Sequence, residues 1–162
     1  MKPKDFFPNM PEEVFEMWID PIIKGYGWPF HSVSDDARNT KWYHVLGRLP
    51  LSTWYGFTWD LKNINIATAP LSPFAKIAIS GIVQQAKVGP KTVTANVVGS
   101  NDRFRACADF IIVNRRLPKP IVGLVRNGYL EIVDGNHRLA ALLHVGLPNG
   151  YLVPAWIPKF TG

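Results

Sequence analysis

Apolar residues recur at helical spacing near the start of the chain, at Val14, Phe15, Trp18, Ile19 and Ile22, and predict an amphipathic helix. Asn9 and Glu12 have the N-cap and N3 spacing of a capping box, Pro11 suits the first turn, and Asp20-Pro21 is expected to stop or kink the helix. Residues 24–40, rich in Gly, Pro, Ser, Asp and Asn, read as a long loop, so 1–40 is expected to form an N-terminal helical arm and 41–162 the main domain. From Trp42 to Trp59, aromatic and β-branched residues broken by Gly47 and Pro50 predict two short strands. Ser72-Pro73 opens a second helix through Phe74, Ile77, Ala78, Ile82 and Gln85, ending before Gly89-Pro90.

Ser100 is placed to cap a third helix, with Asp102 in its positive first turn and Phe104, Cys107, Ala108 and Ile111 along one face. It is expected to stop around Asn114. A hairpin follows: Pro120–Arg126, the Asn127-Gly128 pair that a type I′ turn demands, and Tyr129–Val133. Leu139, Ala140, Leu142, Leu143 and Val145 predict a last helix closed by Gly146 and Pro148, with Tyr151–Ile157 as a final strand. The order of elements implies the α+β class, a small mixed sheet with packed helices.

With 162 residues, 47% of them hydrophobic and 19% charged, the chain has ample surface to bury around one core and no signature of disorder. No apolar run is long enough to span a bilayer and no signal-peptide stretch follows Met1, so a cytoplasmic protein without membrane contact is expected. A lone cysteine, Cys107, supplies neither a disulfide nor a sulfur-ligated metal. The net charge of +6 is unevenly placed. Residues 1–81 carry eight basic and eight acidic side chains, whereas 82–162 carry ten basic and four acidic. Such a one-sided balance favours nucleic acid, nucleotide phosphates or an acidic partner, and it equally suits an ordinary basic surface.

Chemistry concentrates where the hairpin meets the last helix. Asp134-Gly135-Asn136-His137-Arg138 is a strand end, a glycine turn and the first turn of a helix. Free backbone N–H groups and the positive helix end suit a phosphate, and Arg138 adds a bidentate fork. Gly135 and Asn136 are expected to donate backbone N–H groups, and His137 and Arg138 to grip the anion. Asp134 is a candidate to hold a divalent metal, activate water or orient His137. Glu131, sharing a strand face with Tyr129 and Val133, is a secondary acid. Taken singly, each of these residues is more often a cap, turn or surface residue; five in succession favour function. Arg103, Arg105, Arg115, Arg116 and Arg126, with Lys119, offer a basic track for a nucleotide or a nucleic-acid backbone, and a solvated helix face accounts for them equally well. Trp42, Tyr43, Trp54, Tyr55, Phe57 and Trp59 suit packing more than base stacking, and His31 and His44 lack a spaced metal partner.

The run from Leu117-Pro118-Lys119-Pro120-Ile121-Val122 through Gly128-Tyr129-Leu130-Glu131-Ile132-Val133 to Asp134-Gly135-Asn136-His137-Arg138-Leu139-Ala140-Ala141 resembles the core of the ParB/sulfiredoxin superfamily. The resemblance covers about residues 100–157 and is specific for fold more than for reaction. It implies a nucleotide phosphate held at Gly135 to Arg138, ATP or CTP as ligand with Mg²⁺, and metal-assisted phosphoryl transfer or hydrolysis. Sulfiredoxins carry a catalytic Cys immediately before the His-Arg pair, where this chain has Asn136, so sulfinate repair is not implied. Partition proteins continue into a helix-turn-helix domain, whereas this chain ends about twenty-five residues past Arg138, so partition-site binding is not expected. Two other readings stand beside nucleotide chemistry: a DNA-binding protein or nuclease of a phage or plasmid, and a non-catalytic inhibitor or adaptor docking on a host or plasmid protein.

Overall fold

The computed structural model describes residues 1–88, 100–147 and 150–160. The fold is α+β, with a four-stranded mixed sheet in the order β1-β4-β2-β3, where β1 is Phe57–Ile64, β2 Ile121–Arg126, β3 Tyr129–Asp134 and β4 Val153–Phe160. Two compact units are present, Met1–Leu61 with Trp156–Gly162, and Lys62–Ala155. The expected arm boundary at residue 40 falls inside the first unit.

The first unit is an aromatic core on short helices. A 3-10 turn at Pro3–Phe6 precedes α1 (Glu12–Val14), a π-helical stretch (Phe15–Ile19) and α2 (Asp20–Tyr26). Pro21 therefore does not stop the helix. Proline has no N–H to donate and its ring crowds the preceding turn, and the helix meets that disruption as a π-turn just ahead of it. The expected capping box is absent as well: Pro11 is the N-cap, the Asn9 side chain donates instead to the Phe57 carbonyl at 3.3 Å, and Glu12 pairs with Lys4.

The two strands expected between Trp42 and Trp59 are replaced by α3 (Thr40–Val45) and α4 (Leu51–Tyr55), and only β1, from Phe57, is a strand. The buried positions explain the difference. Trp42 and Leu46 lie four apart and Leu51 and Trp54 three apart, all essentially inaccessible, while Tyr43 and Tyr55 face outward. Helical spacing of the residues that must be buried outweighs their β propensity. Asn39 Oδ1 accepts from the Trp42 N–H to start α3, and the left-handed Gly47 and Arg48 separate it from α4. The indole N–H groups donate at 2.9 Å to Gly27 (Trp42) and Leu46 (Trp54), so both rings are buried without an unmet donor.

The second unit carries the chemistry. α5 (Pro73–Val88) begins as predicted, with the buried Ser72 hydroxyl accepting from the Ala75 N–H at 3.1 Å. Its expected stop at Gly89-Pro90 lies outside the described residues, as does Pro148. α6 (Ser100–Asn114) buries Phe104, Ala108 and Ile111. β2 and β3 form the predicted antiparallel hairpin, with Asn127 at φ 53° and Gly128 at φ 78°, the pair of left-handed residues a type I′ turn requires. The inner strand β2 is buried from Ile121 to Leu124. The segment before α5 bonds the outer edge of β3, Leu130 donating to Pro70 at 2.8 Å and Ser72 to Leu130 at 2.9 Å. α7 (Asn136–Val145) packs on α5 and α6.

Candidate phosphate-binding turn

The hairpin ladder is interrupted where it reaches the candidate residues. Gly123 pairs with Ile132 and Val122 with Asp134, which leaves Val133 as an extra residue on β3. Such a bulge re-aims the end of a strand. Gly135 follows at φ +107° and forms the N-cap of α7 without a side chain to cap it. Space requires glycine here as much as φ does, because a Cβ would stand 2.7 Å from Ile121 Cγ2 and 3.0 Å from Arg138 Nη2. The first α7 amide to close an intrahelical bond is that of Leu139, which donates to Gly135 at 3.0 Å. Helix geometry gives the N–H groups of Asn136, His137 and Arg138 no intrahelical acceptor, and they mark the positive end of the helix.

Charge is drawn to the same place. Arg138 Nη2 donates to Asp134 Oδ2 at 2.9 Å, an i,i+4 pair that closes the turn across Gly135, with both side chains largely buried. Arg138 Nε and Asn136 Oδ1 are buried without partners, which leaves hydrogen-bonding capacity unspent beside the helix end. His137 is lowered to about 4, first by burial and then by the charges of Arg103 and Arg138. It is a neutral imidazole near pH 7. Cys107, half-buried on α6, has its thiol pushed up by burial, with Arg138 pulling the other way. Arg103 and Cys107 lie four apart on α6, so one face of that helix turns its charge and its thiol toward the start of α7.

The structure thus brings together Asp134, Gly135, Asn136, His137, Arg138 and, of the expected basic track, Arg103. The others sit elsewhere. Arg126 Nη2 bonds Glu131 Oε2 at 2.8 Å across the hairpin, engaging both that arginine and the secondary acid. Arg116 donates to the Leu117 carbonyl and lies over the Phe110 ring, Arg115 occupies a left-handed position just past α6, and Arg105 borders a cleft described below. Cys107 went unrecognised as a neighbour of the turn; its i,i+4 spacing from Arg103 on α6 was the available signal. For the expected Mg²⁺, the turn offers one carboxylate, Asp134, already ion-paired. Among the described residues no group of three or more His, Cys, Asp or Glu stands close enough to hold a metal. This donor set does not fit a resident metal, and a divalent cation would have to be carried by the phosphates themselves.

Among the described residues no helix is long and apolar enough to cross a membrane. No family model, curated protein or solved structure matches the chain.

Proposed function

We propose that this protein binds a nucleotide, ATP or CTP, with its phosphates at the N-terminus of α7. The single observation that carries this reading is the meeting of the uncapped helix end with Arg103 and Arg138 at a neutral His137. Backbone N–H groups of residues 136–138 would donate to phosphate oxygens, and Arg138 would turn part of its fork from Asp134 to the anion. Neutral His137 contributes a hydrogen bond without adding a third positive charge beside Arg103 and Arg138. The resemblance of residues 117–141 to the ParB/sulfiredoxin core supports the same reading.

Phosphoryl transfer or hydrolysis is a second step of this reading. An imidazole near 4 is a weak base at neutral pH, so His137 becomes an effective proton acceptor only once a bound anion offsets the arginine charges and raises it. Binding is therefore the primary activity, and turnover depends on it. Thermal melting with ATP, CTP and GTP, with and without Mg²⁺, tests the proposal, because a ligand of the folded state raises Tm by mass action. A saturable rise that Arg138→Ala weakens by about 1.5–3 kcal/mol is expected, the scale of a hydrogen bond to a charged group. Equal shifts in both proteins, or binding confined to DNA with a steep salt dependence, would overturn it.

A further inference from the structure

Along α6 and α7 the second unit encloses a cleft of about 500 Å³. Phe104 and Ala108 are buried beneath it, Ile112 is exposed at its rim, and Arg105, Asp109 and His144 supply its polar groups. Arg105 and Asp109 are four apart on α6, yet among the described residues neither side chain has an ion-pair or hydrogen-bond partner, including each other. A guanidinium fork and a carboxylate thus stand unspent beside an apolar surface. Such a lining takes a ligand with a flat apolar body whose edge carries both donors and acceptors. The His144 ring is set edge-on against Phe104, with centroids 5.2 Å apart, and presents a fixed flat group to the cleft.

Position relates this cleft to the phosphate-binding turn. His137 and His144 are seven residues apart on α7, two helical turns, so they share one face about 10 Å apart along the axis. On α6, Arg103 acts on His137 while its neighbours Phe104 and Arg105 line the cleft. The two features thus lie along the same pair of helices, and two helical turns is a separation that suits a nucleotide with its phosphates at one end and its base at the other.

We propose that the cleft is the base-binding part of the nucleotide site, and that it selects a base bearing an exocyclic amine. This inference rests on the phosphate reading of the α7 turn. The Asp109 carboxylate accepts from the amine, and Arg105 donates to the adjacent ring nitrogen or carbonyl oxygen. Uracil is disfavoured: its single ring N–H lies between two carbonyl oxygens, and turning that edge to Asp109 sets oxygen against oxygen. Sites built on such pairing discriminate through the polar groups that a wrong ligand leaves unmet.

The experiment is isothermal titration of the full chain with CTP, ATP, GTP, UTP and inorganic triphosphate, repeated on Asp109→Asn and Arg105→Gln. Both side chains are exposed, so the variants should fold. The readout is each nucleotide's affinity relative to triphosphate, a ratio that cancels general changes in charge. At least one amino-bearing nucleotide is expected to bind about ten-fold tighter than triphosphate and UTP, with either substitution bringing the ratio close to one. Equal affinity for triphosphate and all four nucleotides, unmoved by the substitutions, overturns the base site while leaving the phosphate site intact. Binding of neither triphosphate nor nucleotide overturns both.

Discussion

Gly135→Ala separates what the turn requires of the backbone from what it requires of the packing. At φ +107° an L side chain is strained by about 1–2 kcal/mol. The added methyl would also lie 2.7 Å from Ile121 Cγ2 and 3.1 Å from Ile121 Cβ. Ile121 is fully buried on an inner strand and has little room to move, and overpacking of this kind costs about 1–3 kcal/mol more. The third contact, Arg138 Nη2 at 3.0 Å, is the end of a flexible side chain, and its withdrawal lengthens the bond to Asp134. Gly128→Ala is the matched control, with φ +78° and no atom within 4 Å of the new methyl. Gly135→Ala should therefore lower the unfolding free energy by about 2–5 kcal/mol and Gly128→Ala by about 1–2. In a chain of 162 residues each kcal/mol is about 2–4 °C in Tm. Urea denaturation followed by circular dichroism measures both, and equal losses would refute the close packing of residue 135 on Ile121.

Because His137 is held near 4 when folded and near its ordinary 6.5 when unfolded, the unfolded chain takes up the proton first. Its contribution to stability is thus present above about pH 6.5 and lost as pH falls toward 4, and His137→Gln should flatten that part of the stability profile. Bound triphosphate should move the His137 titration upward in proton NMR, since the anion offsets Arg103 and Arg138; an unmoved titration would place the anion elsewhere. Asp134→Asn removes the carboxylate that competes for Arg138 and should tighten triphosphate binding several-fold by titration calorimetry, whereas weaker binding would show that the ion pair organises the site. Glu131→Gln should leave nucleotide affinity unchanged and cost about 1 kcal/mol of stability, because its carboxylate serves Arg126; a loss of affinity in a folded variant would return Glu131 to the site.

The second unit was legible where a local rule demands a particular residue. Asn127-Gly128 specifies the hairpin, Ser72-Pro73 the start of α5, and Asp134 to Arg138 the strand-turn-helix junction, each through backbone chemistry confined to a few positions. The first unit was misread because Trp, Tyr and Val favour strands on average, whereas Trp42, Leu46, Leu51 and Trp54 are arranged by burial at helical spacing. The candidate site was legible along the chain but not across it. Spacing puts Arg103 and Cys107 on one face of α6, but it does not say that this face meets His137 and Arg138, or that Ile121 closes over Gly135, since those contacts arise from packing of α6 and β2 against the turn. The same limit explains why Arg126 and Glu131 read as functional groups: each looks free in sequence, and the hairpin register joins them.

The central claim, that the start of α7 is an anion site, is tested most directly by backbone amide NMR during titration with inorganic triphosphate. The account predicts saturable shifts that are largest at the amides of Asn136, His137 and Arg138, accompanied by the Arg103 and Arg138 side-chain N–H groups, and weakened in parallel by Arg138→Ala. Absence of saturable shifts, or shifts centred on Arg115, Arg116 and Arg126 with the α7 amides unmoved, would contradict it.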